Sequence, residues 1–543
     1  MPTYLHPGVY VEEIPSGSKP IEAVGTSVAA FVGYTEQGPL GEPTLISTWD
    51  QYEKIFGGIH EIFPDDALGL QDPMGHSVYA FFQNGGSKAY IVRITAADGS
   101  ATEAAASSAD YEDGSSNALM TFSAVNEGEW GDTLVVRVTP KGPLPADGSA
   151  PPLDKFVLEV GTGTGDDFEA LEKFTEISLD PDDTHFIDHV VNDASAYVTL
   201  TLAGADETEE AASASAALAL WRTGFGTEAA PAAEAIELSL GGGNNGEVPD
   251  QDAYDAVWAR FTKIRDINII LLPGQVYTES GNPFIDSAIA HCEAMRSRMV
   301  IIDPPVGTEL NDENDVTDLG LPTQTYCALY YPWVKVANPF YNADTNPGAE
   351  RTVLVAPSAF GAGMWAKTDG RRGVWKAPAG VETSLLGVAG LEWTVEDAEQ
   401  DFLNPLGVNA LRKMPGYGTV VWGTRTLSTK SNPEWRYIPV RRTAIFIEQS
   451  IYNGIQWAVF EPNDHRLWSS LRANVESFMN GLFRAGAFQG EKSGDAYFVR
   501  CGLGSTMTQD DVDRGQVIVL IGFAPVKPAE FVIVRLQQKV GQQ

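Results

Sequence analysis

Two short runs constrain the fold most: NIILLPG at 268–274 and RMVIIDPP at 298–305. Each is apolar without interruption, so neither face of the strand it forms can lie against water. Between them, Pro283 to Ser297 carries helical spacing in Phe284, Ile285, Ile289, Cys292 and Met295. Strands buried on both faces and separated by a helix predict a parallel sheet covered on both sides, with Thr352–Val355 as a third strand. The chain has 543 residues, room for three or four domains at about 150 residues each. With 43% hydrophobic and 20% charged residues it has material for large cores, which excludes a wholly disordered or collagen-like chain.

Charge subdivides the sequence further. The 36 basic and 73 acidic side chains give a formal net charge of −37. An electronegative surface repels phosphate backbones, which argues against coating DNA or RNA. Residues 96–250 hold roughly 30 acids against about 5 bases, near −25 of the total, whereas the stretch from Pro405 onward is slightly basic, about +5. The acidic stretch contains Ala-, Ser- and Pro-rich tracts at 101–110, 142–152 and 228–235, yet also strand-like runs at Thr133–Thr139 and Lys155–Val160. These runs predict a folded, β-rich inserted domain with loose loops; the alternative is a disordered spacer. Cys292, Cys327 and Cys501 are few, odd in number and far apart, the pattern of reduced core thiols and not of a disulfide framework or zinc site. Met1 to Pro20 has neither a basic nor an apolar signal region, and no run approaches 18 apolar residues, so neither Sec-type export nor a membrane span is expected.

Sites for chemistry are weak. In FVLEVGTGTGDD (156–167), Asp166 stands where a dinucleotide fingerprint needs its third Gly, so a hairpin turn is expected. GGGNNG at 241–246 lacks a Lys-Ser/Thr ending and reads as a linker. His185 and His189 lie beside Asp183 and Asp188, but Val190, Val191 and Tyr197–Leu202 look like strands, where a four-residue spacing does not converge. Ser358, His291 and Asp303 invite a triad reading, yet the context VAPSAFG is no nucleophile elbow. No metal, cofactor or catalytic residue is therefore expected; an acidic α/β hydrolase is the alternative and lacks a nucleophile.

The C-terminal third reads as mixed α+β. GTVVWGTRTL (418–427) and WRYIPVRRTAIF (435–446) have strand composition. From Asp464 to Phe483, Leu467, Trp468, Leu471, Val475, Phe478, Met479, Leu482 and Phe483 form one helical stripe, capped by Asn463 or Asp464 and closed at Gly486. Its polar side carries Arg466, Arg472 and Arg484, which either meet an acidic partner or are solvated, with Arg472 paired to Glu476. At the two ends, Val9, Tyr10 and Val11 in PGVYVEEI and Phe531, Val532, Ile533 and Val534 after PVKP are short β-prone runs. They are either edge strands of their own domains or strands donated to neighbouring subunits.

Several long blocks resemble the contractile tail sheath family of phages and phage-like injection particles. They are YLHPGVYVEEIPSGSKPIEAVGTSVAAFVGYTEQGP at the N-terminus, GVWKAPAGVETSLLGVAGLE (373–392), LNPLGVNALRKMPGYGTVVWGTRTLS (403–428) and WRYIPVRRTAIFIEQSI (435–451). WAVFEPNDHRLWSSLRANVESFMNGLFRAGAFQG (457–490), FVRCG (498–502) and GFAPVKPAEFVIVRL (522–536) complete the series, and the acidic 96–250 stretch matches nothing in it. The resemblance implies an α/β and α+β multidomain subunit with a subtilisin-like core lacking a triad. It implies terminal arms exchanged between copies, with Val9–Val11 and Phe531–Val534 in the matching arm motifs. It further implies rings stacked around an inner tube and triggered at a baseplate, with a tail terminator or cap as further partner. No contact with nucleic acid and no membrane insertion are expected, and assembly is expected in the bacterial cytoplasm as part of a phage tail or phage-like particle. The expected divisions are an arm at 1–24, core at 25–95, an acidic outer domain at 96–250, the α/β domain at 251–402, an inner, tube-facing domain at 403–527 and an arm at 528–543. Charge would then follow radius, with the acidic domain outside.

Overall fold

The structure is a computed structural model that describes residues 20–61, 69–96, 103–141, 155–227, 230–231, 234–428, 432–531 and 533. Its centre is an eight-stranded sheet. In spatial order the strands are Thr44–Ile46, Ala89–Arg93, Ala29–Gly33, Ile269–Leu271, Met299–Ile302, Cys327–Tyr331, Val408–Met414 and Gly418–Val421. The inner six run parallel and only the two edge strands are antiparallel. Ile269, Ile270 and Leu271 are all fully buried, so the sheet is covered on both faces, as an apolar run without alternation requires. The covering helices pack in pairs, Pro73–Gln83 with Pro357–Arg372 and Gln251–Phe261 with Pro283–Met295. Gly361 permits one close approach: a Cβ there would lie 2.6 Å from the Tyr330 ring.

Four expectations change. Thr352–Val355 belongs to a separate antiparallel sheet with Val334–Ala337 and Val388–Leu391, because an apolar run does not fix strand direction. Val408–Met414 pairs with Cys327–Tyr331, so a division at 402/403 cuts through the central sheet. WRYIPVRRTAIF does not form a strand: its apolar residues enter the helix Ile438–Gly454, with Pro439 in the first turn. Val190 and Val191 likewise lie in the helix Ile187–Ala194.

The acidic insertion leaves the central sheet after Ala89–Arg93 and returns at Gln251–Phe261. Besides a short antiparallel pairing of Gly226–Thr227 with Ala230–Pro231, it contains two larger antiparallel sheets. One has the order Ile236–Ser239, Leu134–Pro140, Phe156–Thr162, Glu169–Ile177; the other has Ser108–Glu112, Ala118–Ala124, Val198–Leu202. The Gly-rich run is the hairpin turn between Phe156–Thr162 and Glu169–Ile177, with Gly163 and Gly165 at positive φ. The helix Glu207–Phe225 presses Ala214, Ala217, Trp221 and Phe225 onto these sheets, and Trp221 meets Phe156 edge-on at 5.0 Å. This core is separate from that of the central sheet. Arg93, wholly buried, ties the two together by donating through Nη1 to the carbonyls of Gly38 and Glu127.

Candidate assembly interface

Ser358, His291 and Asp303 do not come together as a trio. Ser358 donates through N and Oγ to the two Asp303 carboxylate oxygens at 2.8 and 2.6 Å. Both residues are buried, and burial pushes the Asp303 carboxyl up to about 7 against the lowering effect of these bonds. The carboxyl caps a free N–H in the first turn of Pro357–Arg372, which is a structural task. His291 lies elsewhere, stacked on Trp258 at 5.5 Å with Nε2 3.2 Å from the Arg298 guanidinium. His185 and His189 are also separate, one in a turn near Asp183 and Glu176, the other on a helix. Among the described residues no group of three metal-ligating side chains exists, and no helix is long and apolar enough to cross a membrane.

The C-terminal region is the distinctive surface. Its long helix His465–Arg484 begins where Asp464 accepts from the N–H groups of Arg466 and Leu467, and it buries Leu467, Trp468, Leu471, Val475, Met479 and Leu482. Arg466 and Arg484 are exposed and share one azimuth about five turns apart, while Arg472 is half-buried about a third of a turn round. Among the described residues none of the three has a carboxylate within ion-pair distance, so the alternative Arg472–Glu476 pair is not made. Against this helix packs an antiparallel hairpin, Tyr497–Cys501 with Val519–Phe523. Val499 and Cys501 turn inward, while Phe498 and Leu520 on the other face are exposed. The hairpin is a two-stranded sheet with no third strand among the described residues.

The described ends of the chain are rooted by long-range contacts, the first of them in the hairpin's own core cluster. Ile21 is buried against Gly454, where a Cβ would come within 2.7 Å of it. Thr26 then donates to Asp369 Oδ2 at 2.5 Å, and Arg442 grips the same carboxylate in two bonds of 2.6 and 2.9 Å. Arg442 also donates to the Thr26 carbonyl at 2.8 Å and lies 4.6 Å over the Trp365 ring. Both charged side chains are only 5% exposed. Burial pushes the Asp369 carboxyl up despite the guanidinium. At the other end Arg425 holds Glu530 by bonds of 3.0 and 2.5 Å, with Tyr437 adding a third donor at 3.2 Å. Beyond these roots Phe531 and Ile533 are 76% and 77% exposed, while Val9, Tyr10, Val11, Val532 and Val534 lie outside the described residues.

Comparison with known proteins decides the family. The phage tail sheath protein central domain matches residues 247–427, and the phage tail sheath C-terminal domain matches 430–539. The chain belongs to the contractile tail sheath family. Two tail sheath proteins align with it, from Burkholderia phage BcepMu (30% identical over 223 residues, 38% of this chain and 45% of that one) and Vibrio phage KVP40 (25% over 248 residues, 45% and 33%). These alignments span less than half the length of either relative. Over nearly the whole chain, the fold resembles the anti-feeding prophage helical sheath solved in its contracted state. The TM-score is 0.55 at 23% identity, covering 98% of this chain and 99% of that one. The sheath domain boundary falls at 427–430, in keeping with Val408–Met414 and Gly418–Val421 as strands of the central sheet.

Sequence reasoning missed both ion-pair roots. Thr26, Asp369 and Arg442 are as far as 416 positions apart, and Arg425 and Glu530 are 105 apart. The one available signal was Arg441-Arg442 inside an apolar run, since buried cations need carboxylates.

Proposed function

We propose that the chain is a structural sheath subunit. It polymerises around an inner tube in an extended, metastable state and contracts to drive that tube through a target envelope. The carrying observation is the pair Tyr497–Cys501/Val519–Phe523, a sheet with no third strand among the described residues, whose core cluster includes the N-terminal root Ile21. An arm strand from a neighbour, Val9–Val11 or Phe531–Val534, would extend such a sheet by main-chain pairing. Several bonds worth about 1 kcal/mol each make a tether of a few kcal/mol, enough to persist while rigid bodies rotate. Contraction then exchanges one set of globular interfaces for another, as the contracted state of the anti-feeding prophage sheath illustrates for that protein.

The finer assignments follow from this reading. The central sheet is the subtilisin-like core without a working triad. The arms occupy 1–24 and 528–543, the acidic outer domain occupies 96–250, and the tube-facing region ends at 527. Arg466, Arg472 and Arg484 face an acidic tube surface; a baseplate and a terminator or cap bound the polymer, which assembles in the bacterial cytoplasm.

Negative-stain microscopy of the purified full chain is the test. Hollow cylinders are expected, and removal of residues 1–15 should leave soluble monomer with unchanged thermal stability. Normal-length contractile cylinders from the truncated chain would overturn strand donation.

A further inference from the structure

One exposed aromatic is out of keeping with its surroundings. Phe460 is 102% exposed, and Val459 beside it is 57% exposed. Isolated exposed hydrophobics are ordinary, but Phe460 also holds φ at 69°, a left-handed conformation that bulky residues rarely adopt. The loop thus holds the ring away from its own chain. Glu461 next to it is exposed as well, so the projection is an apolar knob with an acidic flank.

A receptor of matching character lies elsewhere on the molecule. A cleft of about 1090 Å³ separates the central sheet's domain from the C-terminal region. Trp375, Trp422, Ala379 and the exposed Phe531 give it apolar walls. Its lining carries five basic side chains against three carboxylates, a net positive site on a chain of net charge −37. Three of those cations are paired, Arg372 with Glu382, Arg412 with Asp397 and Arg425 with Glu530, which leaves Lys376 and Lys527 against Asp401. Lys376 donates only to a backbone carbonyl, leaving its charge available to an incoming carboxylate.

The helix His465–Arg484 sets the distance between them. Phe460 precedes its N-terminus, whereas Ala485 and Gly486 at its C-terminus line the cleft. Twenty residues at 1.5 Å each separate knob and cleft by about 30 Å, so a chain cannot fill its own cleft. A knob and its receptor on different faces of one molecule make a heterologous contact, which propagates from copy to copy into rings or helices. We infer that Val459–Phe460–Glu461 of one copy docks in the Trp375–Trp422 cleft of another. The Phe460 ring seats between the tryptophans, and Glu461 meets Lys376. This rests on the reading of the chain as a polymerising subunit and names a contact other than strand donation, made beside the root of the C-terminal arm.

The full chain carrying a photo-crosslinking benzoylphenylalanine at Phe460 tests the contact in assembled polymer. Intermolecular crosslinks to residues 375–380 or 422–425 are expected. Crosslinks to another surface of the sheath, to an inner tube protein, or none between copies would overturn the docking while leaving polymerisation intact. Failure of the unmodified chain to polymerise would overturn both readings. Phe460→Ser provides a second measurement. Its monomer should melt at the unmodified temperature, and the concentration needed for polymer should rise roughly tenfold or more. An unchanged critical concentration would also overturn the docking.

Discussion

The inserted acidic domain and the C-terminal region are both antiparallel strands packed on one long helix, but only the first is complete. In the insertion, seven strands pair in the two larger sheets and Glu207–Phe225 closes the core over Trp221. In the C-terminal region the long helix covers a sheet of two strands, with Phe498 and Leu520 exposed on its outer face. The segments that lead to the two arms are held by buried ion pairs that join the central and C-terminal regions, Asp369–Arg442 and Arg425–Glu530. A domain that satisfies its own hydrogen bonds can carry its excess charge outward and needs no neighbour. An unprotected hairpin is a liability for a monomer and becomes an asset only where another strand is supplied. Under the proposed function, the contrast favours assembly through the C-terminal region and solvent exposure of the insertion.

The largest effect that could break this contrast is expected at Asp369. Asp369→Ala leaves the Arg442 guanidinium buried and unpaired and frees Thr26, at a cost of about 3–5 kcal/mol. Urea denaturation should show the loss in the central and C-terminal transition, with the insertion unaffected. A joint Asp369→Leu, Arg442→Met replacement should recover most of it, since the two charges are then removed together. If Asp369→Ala alone is neutral, the N-terminal root is not anchored as described.

Trp221→Ala should have a comparable local cost, about 3–5 kcal/mol, and a smaller consequence. Hydrogen exchange is expected to accelerate at 118–124 and 156–162 while 299–302 keeps its protection. Polymer, if the proposed function holds, should still form. Loss of protection in the central sheet would mean that the two cores unfold as one.

What the sequence disclosed depended on how local the cause was. Ile269–Leu271 and Met299–Ile302 were legible because burial on both faces leaves a run without polar residues. His465–Arg484 was legible because its stripe, its Asp464 cap and the glycine after it all lie within one stretch. Ile438–Gly454 was misread because its first two turns are buried all round. Ile438, Val440, Ile445 and Phe446 then imitate a buried strand, and two arginines sit among them only because Asp369 and the Tyr326 and Trp435 rings receive them. The arm motifs were recognisable from family resemblance, whereas their roots were not, since Glu530 and Arg425 meet only in three dimensions. Phe460 gave no signal at all, because exposure cannot be read from a residue's identity.

The gentlest perturbation, a change of pH, should separate the same two regions by opposite responses. In the insertion, the Lys155 ammonium and the His185 N–H hold the exposed Asp183 carboxyl down at about 2. Its contribution is present above the unfolded value near 4 and is lost as pH falls toward 2. In the central domain Asp303 is raised to about 7 by burial, so the folded state keeps a proton that the unfolded chain releases near 4. Its contribution is therefore complete below about pH 4 and declines as pH rises through 7. Urea midpoints measured from pH 3 to 8 should thus fall with acid for the insertion and fall with base for the central domain. Asp303→Asn should flatten only the second response, because the amide cannot ionise and still offers Ser358 an acceptor. A central transition equally pH-dependent with and without Asp303 would assign that slope to another group.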